Sequence, residues 1–308
     1  MSNSISKEDK QNTSPEVICV GQMVVDCITR NRRITSTRKN VYTADGISLN
    51  PGGDALNEAI NLTRLGHRVR LVGALGQDAA GHLLLDVIRR HQISPEGIVV
   101  DDSVTTPVAN IMVYENGERE STNSPATLLG SFQVDASIVE GVGARVLSLA
   151  SLFRAPLDRP ETVINLIRQA KSQGMIVCAD TKLPTFRKIN LSDLEEVLPL
   201  IDYIFPNENE AGSMTGETDF ERMTERLSDR GIRNVIIKAG LQGCFVRDAE
   251  GHFTHIPALP VTAIDSTGAG DSFVAGFISG LLRDQPIEEC CRLGTECAAE
   301  CVQRQGAT

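Results

Sequence analysis

The run Pro260-Val-Thr-Ala-Ile-Asp265-Ser-Thr-Gly268-Ala-Gly270-Asp271-Ser-Phe-Val-Ala-Gly-Phe-Ile-Ser-Gly-Leu-Leu282 decides how the rest of this chain is read. A glycine-rich turn leads straight into an apolar segment with Phe273, Phe277 and Leu281 at helical spacing. This predicts that Gly268 to Asp271 form the first turn of a helix. The leading amides of a helix have no partner within it and stand at the positive end of its dipole. With only the small residues Gly268, Ala269 and Gly270 around those amides, a phosphate or other oxyanion can approach closely.

Asp271 is the unusual member, because a carboxylate in that turn repels an anion unless chemistry requires it there. As a base it could take the proton of a hydroxyl attacking phosphorus, while the amides stabilise the transferred group. As an ordinary acidic residue of a first helical turn it needs no chemistry at all. The stretch alone leaves both readings open.

Working outward, 308 residues with 41% hydrophobic content suffice for a large core, as one domain with a small appendage. A net charge of -10 argues against nucleic acid or an anionic membrane surface as partner. No apolar run is long enough to cross a bilayer, and Met1 to Pro15 lacks the apolar core of a signal peptide. The expectation is a cytoplasmic protein with a disordered leader over residues 1–15. The 8 cysteines include no C-x-x-C pair. Cys297 and Cys301, one helical turn apart with Cys290 and Cys291 upstream, raise a soft-metal site, but the pattern reads as small buried residues on a helix.

Near the start, Glu16-Val-Ile-Cys-Val-Gly21 is an apolar run of the kind that makes a fully buried strand, with Asp26 a few residues beyond. Open α/β sheets bind ligands past the carboxyl ends of their strands, so Asp26 is placed either to accept hydrogen bonds from substrate hydroxyls or to cap a turn. The polar, basic segment from Arg30 to Ser48 reads as irregular or edge-strand structure. Then Asn50-Pro-Gly52-Gly53-Asp-Ala-Leu-Asn57 gives a second glycine turn entering a helix that Gly66 closes, and the Asn57 amide can face whatever rests on Gly52 and Gly53. A strand from Val69 to Leu75 and an amphipathic helix follow, the order of a doubly wound parallel sheet.

An interruption comes at residues 108–122, where the pattern alternates and turns at Asn116-Gly117, a strong hairpin signal. Together with residues 30–48 it predicts a small β lid outside the main sheet. The α/β pattern resumes with a strand at Val146 to Leu149, a helix from Pro160 to Gln173, a strand ending on Asp180, a further helix, and Tyr203-Ile-Phe-Pro-Asn207-Glu-Asn-Glu210. Glu208 and Glu210 suit a phosphate only with a divalent cation between, and Mg²⁺ fits oxygen ligands better than zinc does. An acid-rich helix N-terminus is the simpler reading of the two acids by themselves. Last, Val235-Ile-Ile-Lys238-Ala-Gly240-Leu-Gln-Gly243 reads as strand and glycine turn, with Lys238 either meeting a phosphate or ending a strand.

These elements together resemble the PfkB, or ribokinase-like, family of sugar and nucleoside kinases, from about residue 16 to 307. Gly52-Gly53 with Asn57 is similar to the family's N-terminal signature, and Asp265-Ser-Thr-Gly-Ala-Gly-Asp271 to its C-terminal one, with Ser266 where Thr is usual. Asn207-Glu-Asn-Glu210 has the family's N-x-x-E spacing, and Lys238 to Gly243 looks like its nucleotide loop. The resemblance implies a doubly wound, mainly parallel sheet over residues 16–308, with a β lid from about 28–48 and 104–122. It further implies transfer of the γ-phosphoryl group of ATP to a hydroxyl of a small carbohydrate. Asp271 would be the base, and the amides of Gly268, Ala269, Gly270 and Asp271 the anion hole. Asp26, Gly52, Gly53 and Asn57 would bind sugar, while Asn207, Lys238, Gly240, Gly243 and Thr267 would border the nucleotide. Glu210 would hold Mg²⁺ through water, and Asp265 belongs to a loop that in many relatives holds a monovalent cation, K⁺. In the family the lid commonly pairs with a second subunit, so a homodimer is expected.

One departure from the family is Thr295, where relatives often place Asn near the base of the nucleotide. A nucleoside kinase of the same fold is the alternative, against which the 4% aromatic content and absence of Trp offer few stacking surfaces. A non-catalytic sugar-binding relative would have no use for Asp271. A dinucleotide oxidoreductase is disfavoured because the first strand is followed by Gly21-Gln-Met-Val-Val-Asp26, without a G-x-G-x-x-G turn.

Overall fold

The structure, a computed structural model, describes residues 14–34, 42–115, 119–123, 132–185, 187–304 and 306–308. The chain runs β1 (Val17–Val20), β2 (Val24–Arg30), β3 (Arg33–Ile34), β4 (Tyr42–Thr43), β5 (Gly46–Gly52), α1 (Asp54–Arg64), β6 (Val69–Gly76), α2 (Ala79–Arg90), β7 (Ser94–Asp101), β8 (Val108–Val113) and β9 (Arg119–Asn123). It continues through β10 (Val146–Leu152), α3 (Pro160–Ser172), β11 (Ile176–Thr181), β12 (Tyr203–Ile204), α4 (Glu208–Thr215), α5 (Phe220–Ser228), β13 (Asn234–Lys238), β14 (Cys244–Arg247), β15 (Phe253–Ile256), α6 (Ala269–Leu282) and α7 (Ile287–Val302).

β1 explains the layering. All four of its side chains are buried, and alternate residues face opposite cores, Val17 and Cys19 one cluster, Ile18 and Val20 the other. A strand buried on both faces needs helices on both sides. The first cluster gathers Leu56 and Ile60 of α1, Leu84 and Ile88 of α2, and Phe273 and Phe277 of α6. The second gathers Val163 and Leu166 of α3 and Met223 and Leu227 of α5.

The main sheet has 9 strands in the order β15-β14-β13-β12-β11-β10-β1-β6-β7. β12 pairs in parallel with β13, and only β14 and β15 add antiparallel ladders. After β1 the chain builds outward through β6 and β7, then returns to the other side of β1 at β10. That reversal leaves a crevice past the carboxyl ends of β1 and β10, the usual ligand position in such sheets.

A separate sheet of 4 strands runs β5-β2-β8-β9, with β2 antiparallel to β5 but parallel to β8. The anticipated hairpin is there as β8 against β9, although its Asn116-Gly117 turn lies outside the described residues, as do Arg38, Lys39 and residues 1–13 of the leader. Strand pairing carries this sheet from Val24 to Gly52, beyond the polar span from which it was expected. Arg30 corrects the edge-strand reading, because β2 is an internal strand between β5 and β8. The further helix before β12 is Leu191–Leu200, a 3-10 helix begun by an Asn190/Asp193 capping box and carrying Pro199, which cannot donate to a helical ladder.

Candidate active site

Two chain reversals bring the signature turns together. Gly53, at φ 92, takes the chain from β5 into α1, and Gly268, at φ 76, takes it into α6. These left-handed conformations are open to glycine at little steric cost. A Cβ at Gly268 would also overlap Ala307, and one at Gly52 would overlap the Asp26 carboxylate. α1 and α6 then lie side by side. Asn57 Nδ2 donates to Asp271 Oδ2 at 2.7 Å, and one turn further Asn61 Nδ2 donates to Ser272 Oγ at 3.0 Å.

Asp271 is 5% exposed and occupies the third position of α6, which no side chain caps; the Ala269 amide donates to Ser266 O at 3.3 Å. Burial pushes its carboxyl up to about 6, Lys182 and Asn57 acting against the shift, Asp54 and Asp180 with it. Asn57 Oδ1 is buried and has no hydrogen-bond partner among the described residues. An acceptor hydroxyl could supply that missing donor.

Asp26 lies within β2 rather than in a loop, opposite Asn50 of β5 and on the face of the small sheet that it shares with Gly52. Burial, then Asp54 and Asp265, raise its carboxyl to about 6. At the carboxyl end of β10, Ser151 accepts from the Gln22 amide at 3.1 Å and donates to Asp54 at 3.0 Å. These bonds tie the loop after β1 and the start of α1 to the carboxyl end of β10.

Lys182 was not singled out from the sequence. One residue past β11, its ammonium stands 3.1 Å from Asp54 Oδ1, 3.3 Å from Asp180 Oδ2 and 3.5 Å from Asp271 Oδ1. Lys238 also pairs with Asp180, and a Cβ on Gly270 would lie 3.4 Å from its ammonium. The lysine at the end of β13 thus stands beside the α6 turn.

Glu210 is used differently from Asp271. Asn207 caps α4, its side chain accepting from the Glu210 amide at 2.9 Å, and Glu210 Oε2 accepts in return from the Asn207 amide at 2.9 Å and from Thr181 at 3.0 Å. Burial raises the Glu210 carboxyl, with Lys238 opposing. Glu208 is exposed and stands apart from this network, so the two glutamates do not form a pair.

Gly240 and Gly243, at φ 55 and φ 89, turn the chain from β13 to β14. Asp265 accepts from the Thr267 amide at 2.9 Å and the Gly306 amide at 3.1 Å, with Arg30 at 4.0 Å. Thr295 donates back to Cys291 O within α7 at 2.9 Å. Cys290, Cys291 and Cys301 are buried on that helix. Among the described residues the potential metal-ligand cluster is Asp248, Glu250 and His252 at the β14–β15 turn, not the cysteines.

The family model for "pfkB family carbohydrate kinase" matches residues 14–308. The chain belongs to the pfkB family of carbohydrate kinases. It is accordingly a phosphotransferase with an alcohol group as acceptor. It is 27% identical over 305 residues to a ribokinase of Schizosaccharomyces pombe, covering 94% of this chain and 93% of the relative. It is 30% identical over 270 residues to a cytidine kinase of Thermococcus kodakarensis, covering 83% of this chain and 89% of that one. The solved structure of Arabidopsis thaliana ribokinase with ribose and ATP superposes with a TM-score of 0.80 at 23% identity, over 96% of this chain and 94% of that one. The fold is the ribokinase fold. Among the described residues no helix is long and apolar enough to cross a membrane.

Proposed function

We propose that this carbohydrate kinase transfers the γ-phosphoryl group of ATP to a hydroxyl of a small, uncharged sugar, with Asp271 as the base. The observation that carries the reading is the placement of the Asp271 carboxylate. It sits at the open N-terminus of α6, its two oxygens facing Asn57 and Lys182. The acceptor hydroxyl would lie between that carboxylate and the incoming phosphorus, with Asp26, Asn57 and the Gly52-Gly53 backbone holding the rest of the sugar. Asp271 takes the hydroxyl proton, while the amides of Gly268, Ala269, Gly270 and Asp271 stabilise charge on the transferred group. Such a reaction depends chiefly on positioning and charge stabilisation.

An uncharged acceptor is favoured because Asp26, Asp54 and Asp271 all line the site, while Lys182 is committed to carboxylates. Asn207, Lys238, Gly240, Gly243 and Thr267 would border the nucleotide. Mg²⁺, when bound, neutralises charge on the phosphates. Glu210 would hold it through water, since its carboxylate is already engaged by Asn207 and Thr181. A monovalent cation such as K⁺ beside Asp265 would share that carboxylate with two amides and Arg30. Comparing turnover in K⁺ and Na⁺ tests that role.

The small sheet would act as the lid and as a homodimer surface. Opposite its Asp26 face, Ile47 and Leu49 on β5 are 70% and 58% exposed, and Val108 on β8 is on the same side. Replacing Ile47 and Leu49 by Lys should give a monomer in light scattering, and an unchanged mass would contradict the pairing.

The 30% identity to a cytidine kinase keeps a nucleoside acceptor as the second reading. A panel of aldoses, ketoses, sugar acids and nucleosides incubated with ATP and Mg²⁺ separates them. Phosphorylation of a neutral sugar is expected. Preference for a nucleoside moves the assignment within the fold, and failure with every acceptor overturns it.

A further inference from the structure

We propose that Lys182 is a positioning residue for phosphoryl transfer, its ammonium bridging Asp54 and Asp271 so that the Asp271 carboxylate keeps both its orientation and its charge. This rests on the reading of Asp271 as the base.

The geometry is specific. Asp271 has one oxygen 2.7 Å from Asn57 Nδ2 and the other 3.5 Å from Lys182 Nζ, so its two oxygens have different partners. Lys182 is in turn fixed by Asp54 on α1 at 3.1 Å and by Asp180 on β11 at 3.3 Å, and its side chain is 18% exposed. The aliphatic stem is therefore enclosed and the head has little room to wander.

The surroundings explain why a cation is required. The ionisable groups around Asp271 are Asp54 and Glu58 on α1, Asp180 on β11, Lys182 just beyond it, and Cys301 on α7, with Lys238 of β13 paired to Asp180. Burial and the neighbouring acids all favour a protonated Asp271, which could not accept a proton. Lys182 opposes them, and an opposite charge at such range lowers a carboxyl by about 1–3 units. Glu58 shows the alternative. Fully buried, with the Ser148 hydroxyl donating to it, its carboxyl is held well above the ordinary range.

The test is the pH dependence of kcat/KM for wild type, Lys182→Met, Lys182→Arg and Asp54→Asn, using ATP and whichever panel acceptor the wild type turns over fastest. The wild-type acidic limb is expected at about 6. Lys182→Met should move it up by about 1–3 units, lowering activity about two- to a hundredfold at about pH 7 and recovering towards about pH 9. Lys182→Arg should stay near wild type. Asp54→Asn should move the limb down, because a repelling charge is gone. Asp26 titrates in the same range but takes its shift from burial, Asp54 and Asp265, so an upward move on losing Lys182 reports Asp271. A Lys182→Met deficit that is the same at every pH, with an unmoved limb, overturns the proposal. If thermal melting shows that this variant does not fold, an Asp54→Asn limb that stays put or rises overturns it instead. A wild type that phosphorylates nothing is a different outcome and removes the base assignment itself.

Discussion

Two helix N-termini in this molecule carry an acid at the same position and use it in opposite ways. α4 begins Asn207-Glu-Asn-Glu210 and α6 begins Gly268-Ala-Gly-Asp271, so each has a carboxylate three residues after its cap. At α4 the Asn207 side chain occupies the exposed amide end and Glu210 folds back on the cap, a closed capping box. At α6 the cap is a glycine with no side chain to offer; Ala269 donates to the Ser266 carbonyl at 3.3 Å, the Gly270 and Asp271 amides stay open, and Asp271 turns to Asn57 and Lys182. A polar cap consumes an anion site, and a glycine cap leaves one.

The largest break in that contrast comes from Asp271→Asn. It should lower kcat by at least about a hundredfold with little change in ATP affinity, measured by initial rates and by nucleotide titration. The same variant should melt higher than wild type at neutral pH. Asp271 has a folded value raised from 3.8 to about 6, so its contribution to stability is present below 3.8 and lost as pH rises through about 6. The melting advantage should vanish in acid, and melting curves across pH would show it.

Next in size is Gly268→Asn, which asks α6 to adopt the α4 solution. Asn tolerates a left-handed φ better than other side chains, but its Cβ would overlap Ala307. Turnover should fall on the order of a hundredfold, as for loss of one anion-hole donor, and thermal unfolding should come earlier.

Asn207→Gly makes the reverse exchange and opens α4. Loss of the side-chain cap should cost at most about 1 kcal/mol in denaturant unfolding, with a smaller effect on kcat than any change at α6. Least of all is the stability effect of Gly270→Ala, whose new methyl meets only the ammonium end of Lys238, at 3.4 Å. Melting should be unchanged, while kcat should drop about tenfold as the methyl crowds the anion path, a fraction of what losing a donor costs.

How far this contrast could be read in advance depended on range. The α6 turn, its helix and Asp271 were legible because their signals are local: small residues, then helical periodicity. The alternation of strands and helices gave the doubly wound sheet for the same reason. At α4 the spacing was legible but its use was not, since a capping box and a metal-holding pair look alike until Glu208 is seen to face solvent. Arg30 and the β2–β8 pairing were hidden because parallel register between distant strands leaves no mark on either one. Lys182 was hidden most completely, since its three partners come from α1, β11 and α6. The available hint was a lysine following Asp180-Thr181 at a strand's carboxyl end.

The most direct test is where the phosphate goes. Crystals of the protein with Mg²⁺ and a non-hydrolysable ATP analogue should place γ-phosphate oxygens within hydrogen-bonding reach of the Gly270 and Asp271 amides, with the Asp271 carboxylate facing the acceptor pocket. A γ-phosphorus seated at the α4 end, or an Asp271 side chain screened from that pocket, would contradict the account.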